Sequence, residues 1–168
     1  HVPLVRDGRH RTFHLANEAF FHSLRRRPVF INTSRGEVAD TPALLQALEN
    51  GQIADAVIDV WENEPDIDRT LLQKAFIGTP HIAGYSEQGK ANATAQSVAT
   101  LARFFGFPLE GWYPPEVPPS TPRPISWEEL CRTIGTRYDI EAESRHLKAS
   151  PEEFESLRDH YRYRREYF

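Results

Sequence analysis

The sequence predicts an α/β protein built on a parallel sheet and followed by a small helical unit. Three observations predict it. Short apolar runs alternate with helical periodicity up to about residue 107. A stretch from Pro108 to Pro124 then holds seven of the thirteen prolines. Beyond it stand two Ser-x-x-Glu signatures of helix starts.

The elements follow in order. Pro28-Val29-Phe30-Ile31-Asn32 is an apolar run of strand length, preceded by the turn Arg25-Arg26-Arg27. Asp40-Thr41-Pro42 opens a helix, with a capping residue and a proline at or near the first helical position. Leu44, Leu45, Ala47 and Leu48 give that helix its apolar spacing, and Gly51 stops it. Ala54 to Val60 is the next strand, and Phe76-Ile77-Gly78 is a shorter one. A long helix runs from a cap near Ser86 to Phe105, ended by Gly106 and Pro108. Residues 108–125 cannot form a helix or a central strand and read as an extended linker. Ser126-Trp127-Glu128-Glu129 and Ser150-Pro151-Glu152-Glu153 open two further helices. The last carries Arg158, Arg162, Arg164 and Arg165, with Tyr161, Tyr163, Tyr167 and Phe168 interleaved. A unit of this size holds little core of its own, so it is expected to pack against something else, with a partner subunit the natural candidate.

Composition excludes several function classes. The 168 residues are 39% hydrophobic and 26% charged, ordinary values for a globular chain. A net charge of −4 argues against wholesale nucleic-acid binding, and the C-terminal arginines are offset by Glu152, Glu153, Glu155, Asp159 and Glu166. No apolar run of about 18 residues is present, so no membrane-spanning helix is expected. The single cysteine, Cys131, fits a reducing, cytoplasmic compartment. His10, His14 and His22 lack a matching carboxylate or cysteine cluster in sequence, and no metal site is expected.

In parallel α/β sheets, ligands bind at the carboxyl ends of the strands. Three loops leave such ends here. Asn32-Thr33-Ser34-Arg35-Gly36 offers a guanidinium suited to a carboxylate, and a glycine that permits close backbone approach. Asp59-Val60-Trp61-Glu62-Asn63-Glu64-Pro65 offers carboxylates, and Gly78-Thr79-Pro80-His81-Ile82-Ala83-Gly84-Tyr85 a histidine. A histidine held by a carboxylate is a general acid/base pair. Singly, Arg35 reads as a surface ion-pair partner, Glu64 as a solvated loop residue and His81 as a turn histidine. Their joint order is far more specific.

That order resembles the D-isomer-specific 2-hydroxyacid dehydrogenases, whose pattern is Asn-x-x-Arg-Gly, then Asp-Val-aromatic-x-x-Glu-Pro, then Thr-Pro-His. Here these are Asn32 to Gly36, Asp59 to Pro65 and Thr79 to His81, with 29 residues from Arg35 to Glu64. His1-Val2-Pro3-Leu4 is similar to the family's strand end beside the cofactor. The resemblance implies a Rossmann-type sheet, NAD as cofactor and oxidation of a 2-hydroxy acid. It makes Arg35 the residue that holds the substrate carboxylate, His81 the proton acceptor and Glu64 its partner. It places Val2, Thr33, Ser34, Arg35, Asp59 and Gly84 at the cofactor and Tyr85, with Arg35, at the substrate. Thr12-Phe13-His14-Leu15, the phrase Ile77 to Tyr85, Gly89-Lys90-Ala91 and the appended unit with Arg164 to Tyr167 resemble one branch of the family. That branch oxidises 4-phospho-D-erythronate in pyridoxal phosphate synthesis and dimerises through its extra C-terminal domain.

The expected organisation is therefore residues 1–107 as part of an NAD-binding catalytic region, 108–125 as linker and 126–168 as dimerisation domain. One departure matters: no Gly-x-Gly-x-x-Gly turn for a pyrophosphate occurs anywhere. With the absence of methionine, this leads us to expect a piece of a longer chain, whose remainder holds the main cofactor grip. The rival readings are a relative acting on phosphoglycerate or glycerate, and a non-enzymatic NAD-sensing corepressor-like protein.

Overall fold

The computed structural model describes residues 2–120 and 123–166. His1, Thr121, Pro122, Tyr167 and Phe168, all of which fall in stretches read above, lie outside the described residues. By contacts the chain divides into two compact units. One runs to Ala83 and includes Ile140–His160; the other joins Gly84–Asp139 to the end of the chain from Tyr161.

The first unit contains the parallel sheet. Its strands β1 (Val29–Asn32), β2 (Asp55–Ile58) and β3 (Ile77–Gly78) lie in the order β1-β2-β3. Val29 pairs with Asp55 and Asn32 with Ile58; Val57 pairs with Ile77 and Ile58 with Gly78. All three strands are therefore parallel and release their chains at the same edge. Helix α1 (Glu18–His22) precedes β1, α2 (Thr41–Glu49) connects β1 to β2, and α3 (Arg69–Lys74) connects β2 to β3. Ala43, Leu44 and Ala47 turn one face of α2 into the core, where they meet Phe21, Ile58 and Leu72. Burying a side chain such as Leu44 or Leu72 contributes roughly 1.5–3 kcal/mol.

Three local expectations are corrected. Asp40 precedes α2, but its side chain makes no capping hydrogen bond; the Thr41 N–H goes instead to Glu62. Ser150 does not form a capping box: Pro151–Glu153 is a single 3₁₀ turn closed by backbone. The last helix, α7 (Phe154–Asp159), stops before Arg162, so Arg162, Arg164 and Arg165 lie on extended chain rather than on a helical stripe.

The contact division also differs from the expected boundaries. Helix α6 (Ile140–Ala149) packs against β3, and Leu147 and Phe154 are fully buried in the core of the first unit. The Ser144 hydroxyl accepts from the Gly78 N–H at 3.0 Å, and Lys148 Nζ donates to the Ala75 carbonyl at 2.5 Å. The physical reason is the one that made an isolated helical unit implausible. Two short helices cannot bury their apolar faces on each other, so they bury them on the nearest sheet.

The second unit is built on α4 (Glu87–Phe105), with Ser86 accepting from the Gly89 N–H at 2.9 Å. It ends at Gly106, whose φ of 69° suits glycine. The described residues of the 108–125 stretch form no helix or strand, as its prolines dictate. Helix α5 (Trp127–Arg137) begins at Ser126, which accepts from the Glu129 N–H at 3.1 Å as expected. The extended end of the chain lies along the start of α4: Glu87 N–H donates to the Arg164 carbonyl at 2.8 Å, and Glu166 N–H to Gln88 Oε1 at 2.9 Å.

Candidate active site

The carboxyl edge of the sheet gathers the three loops. The first is shaped by Asn32, buried at the end of β1. Its Oδ1 accepts from the Ser34 N–H at 3.2 Å and hydroxyl at 2.9 Å, and its Nδ2 donates to the Arg35 carbonyl at 3.0 Å. One side chain thus folds the loop back on itself. Arg35 is exposed, and its Nη1 donates to the Ser34 carbonyl at 2.6 Å. Gly36 is in place by necessity: a Cβ there would sit 1.9 Å from the Trp61 carbonyl oxygen. The first and second loops are backbone to backbone at this point.

The second loop leaves β2 through Asp59, which is 3% exposed. Its Oδ1 accepts from the Thr79 hydroxyl at 2.7 Å and the Ile82 N–H at 2.8 Å, and its Oδ2 from the Ala83 N–H at 3.1 Å. The His81 N–H adds a 2.8 Å bond to the Asp59 carbonyl. Asp59 therefore holds the third loop in shape. Trp61 is buried, and its indole N–H donates to the Thr79 carbonyl at 2.9 Å. These two cross-links escaped the sequence reading, although both residues lie inside the quoted motif.

Glu64 and His81 meet. Glu64 Oε2 lies 2.8 Å from His81 Nδ1, while Oε1 accepts from the Trp61 N–H at 2.8 Å. The carboxylate thereby selects the tautomer with the proton on Nδ1, leaving the Nε2 lone pair free. Among the described residues, Nε2 has no hydrogen-bond partner. His81 has a φ of 58°, an uncommon left-handed conformation for a residue with a side chain. Its pKa stands above the ordinary histidine value. The hydrogen bond from Glu64 raises it most; burial opposes; the charges of Glu64 and Asp59 raise it further, and nearby Arg35 lowers it. A histidine so held, with one ring nitrogen fixed by a carboxylate, is suited to accept a proton at the other.

The other expected residues are placed as follows. Thr33 is half-buried and Ser34 buried, both on the first loop, and Val2 is half-buried in the same unit. Gly84 and Tyr85 belong to the second unit. Gly84 is exposed with open space where a Cβ would point. The Tyr85 ring receives the Lys90 ammonium at 3.7 Å and meets Tyr161 and Tyr163 edge-on, with centroids 6.2 and 5.6 Å away.

A second histidine is corrected. His14 does have carboxylate neighbours: its Nε2 lies 2.7 Å from Glu62 Oε1, and ligand atoms of His14, Asp40 and Glu62 fall within 4.8 Å of one another. Sequence separation hid this, since the residues are up to 48 positions apart. Both Glu62 oxygens are engaged, one by His14 and one by the Thr41 N–H at 2.9 Å. The trio therefore reads as a hydrogen-bonded latch.

Residues 1–83 match the model of the D-isomer specific 2-hydroxyacid dehydrogenase NAD binding domain. Over those residues the chain resembles the NAD binding domain of that family. It is 53% identical over 167 residues to the erythronate-4-phosphate dehydrogenase of Bacteroides thetaiotaomicron, covering 99% of this chain and 47% of that one. It is 40% identical over 176 residues to the enzyme of the same name from Escherichia coli O1:K1 / APEC, again 99% and 47%. The chain thus spans about half the length of the curated relatives it matches. Among solved structures it is similar to D-lactate dehydrogenase from Aquifex aeolicus, complexed with NAD and lactic acid. The TM-score there is 0.52 at 27% identity, covering 71% of this chain and 40% of that one. It is also similar to apo D-mandelate dehydrogenase from Rhodotorula graminis, with a TM-score of 0.51 at 31% identity, covering 66% and 33%. Among the described residues, no helix is long and apolar enough to cross a membrane.

Proposed function

We propose that this chain supplies the acid–base half of an NAD-dependent oxidation of 4-phospho-D-erythronate at C2. The observation that carries the chemistry is the Glu64–His81 pair at 2.8 Å, with Nε2 unengaged among the described residues. In this reading His81 Nε2 takes the proton of the C2 hydroxyl as C2 loses its hydride and becomes a 2-oxo group. Glu64 stabilises the imidazolium that results. Arg35 holds the substrate carboxylate through a bidentate fork. Tyr85 contacts the substrate.

NAD, when bound, accepts the hydride. The residues present fit one end of it: three loops open at the carboxyl edge of a parallel sheet, the edge where such sheets bind dinucleotides. Val2, Thr33, Ser34, Arg35, Asp59 and Gly84 would line it. Asp59 would act there chiefly by fixing the loop of His81, since its oxygens already accept three bonds from that loop. No glycine-rich turn for the pyrophosphate lies within residues 1–168.

The substrate assignment is supported by the 53% and 40% identities to enzymes named for erythronate 4-phosphate. The same likeness supports a role in pyridoxal phosphate synthesis, the family resemblance of the C-terminal segment a homodimer, and the lone Cys131 a cytoplasmic setting. The test is NADH formation by the full-length enzyme with 4-phospho-D-erythronate, 3-phosphoglycerate and glycerate in parallel. The first should show the highest kcat/KM. Equal or better use of either other acid refutes the assignment. NAD binding without turnover of any of them favours a corepressor-like protein.

A further inference from the structure

The segment that carries Glu64 is gripped at both ends. Asn63, with a φ of 61°, turns the chain so that its two neighbours reach different histidines. Glu64 reaches His81, and Glu62 reaches His14 at 2.7 Å and the first turn of α2 at 2.9 Å. His14 is itself fixed. Its N–H donates to the Glu37 carbonyl at 2.8 Å, its ring stacks on Phe13 with centroids 4.0 Å apart, and its φ is 51°. Two histidines in left-handed backbone thus hold two glutamates separated by a single residue, Asn63. The sequence offers no local reason for this. Glu62 occupies a variable position of the motif, and His14 lies far upstream.

We infer that the His14–Glu62 pair is a latch that positions Glu64, and through it His81. The inference rests on the acid–base reading of His81 given above. A three-residue stretch held at Glu62 and at Trp61 N–H has little freedom to swing its Glu64 carboxylate away from Nδ1. With Glu62 released, the side-chain bonds left to hold it among the described residues are those of Glu64 to Trp61 and His81. Displacement of a reacting group by about 1 Å can cost on the order of 10²-fold in rate. Burial works against the charge of Glu62, but the bonds from His14 and Thr41 outweigh it and leave its pKa lowered. Glu62 therefore stays charged where His81 titrates. The charged groups around His14 are Glu62 and Asp40, with Arg11 beside it and the Arg6–Glu37 ion pair beyond.

The test compares His14→Leu, His14→Gln and wild type in the full-length enzyme. His14→Leu should lower kcat about 10–100-fold, leave KM nearly unchanged and move the acidic limb of the kcat/KM profile to lower pH. His14→Gln, which keeps a donor for Glu62, should recover most of the loss. A wild-type pH profile in His14→Leu overturns the inference, whatever its thermal stability. So does a Gln variant as impaired as the Leu variant. Should His14→Leu fail to fold, Glu62→Gln carries the same expected shift of the limb. The acid–base reading fails separately, if His81→Asn leaves kcat unchanged. In that case the His81 ring titration followed by NMR decides the latch: a lower pKa in His14→Leu supports it, and an unmoved pKa overturns it.

Discussion

Replacing His81 by Asn in the full-length enzyme should lower kcat by about 10²–10⁴-fold, the usual contribution of a positioned general acid/base. Asparagine can still accept the backbone geometry. It is among the residues that tolerate a φ near the 58° found here, so the loop should survive. Its amide can hydrogen-bond Glu64, which keeps the carboxylate satisfied. What it lacks is a basic nitrogen at the position of Nε2. KM should change little, because substrate grip falls to Arg35 and Tyr85 in the proposed arrangement. Steady-state NADH formation checks this, and a loss below tenfold would remove His81 from the role.

Gly36→Ala should be the most damaging small change in the chain. The added methyl would overlap the Trp61 carbonyl, at 1.9 Å from its oxygen and 2.0 Å from its carbon. Neither atom belongs to a flexible side chain, so the backbone must part. Overpacking of this kind costs about 1–3 kcal/mol, occasionally more; for a chain of this size that is a fall of roughly 10 °C in Tm at the upper end. Parting the loops also separates Arg35 from Glu64 and His81, so activity should fall further than stability alone explains. Gly111→Ala, with open space at its Cβ, is the control and should leave Tm within about 1 °C. Calorimetry on both variants decides it.

The sheet and the three loops were legible because each rests on local signals. Apolar runs bounded by turn residues marked Val29–Asn32 and Asp55–Ile58, and Ser86 and Ser126 cap the helices they were expected to cap. The pairing of Glu64 with His81 was legible only through the family resemblance; the 17 positions that separate them return the chain to the same edge of the sheet. What was not legible depends on distant partners. Asp40 has the right residue type and place for a cap, yet its side chain makes no capping bond, and Glu62, from the next loop, accepts the Thr41 N–H. Leu147 and Phe154 sit beyond the prolines, and no periodicity tells which surface covers them; burial on the sheet of the first unit is a tertiary outcome. Arg162, Arg164 and Arg165 were read as helical, but the helix ends at Asp159. The strip beyond it meets the start of α4 through a backbone bond from the Glu87 N–H to the Arg164 carbonyl and through the side chains of Gln88 and Glu87, which take the Glu166 N–H and the Arg165 guanidinium.

The central claim is that His81, tuned by Glu64, is the base of the oxidation. It is tested most directly by the pH dependence of kcat/KM for NADH formation, in the full-length enzyme and its Glu64→Gln variant. A base must be unprotonated to act, so the rate should fall as pH drops through the His81 pKa. The Glu64 hydrogen bond and charge raise that pKa, so the wild-type limb should lie above about 6.5, the unperturbed histidine value. Glu64→Gln should move it to lower pH. A wild-type limb at or below that value, or one that Glu64→Gln leaves in place, contradicts the claim.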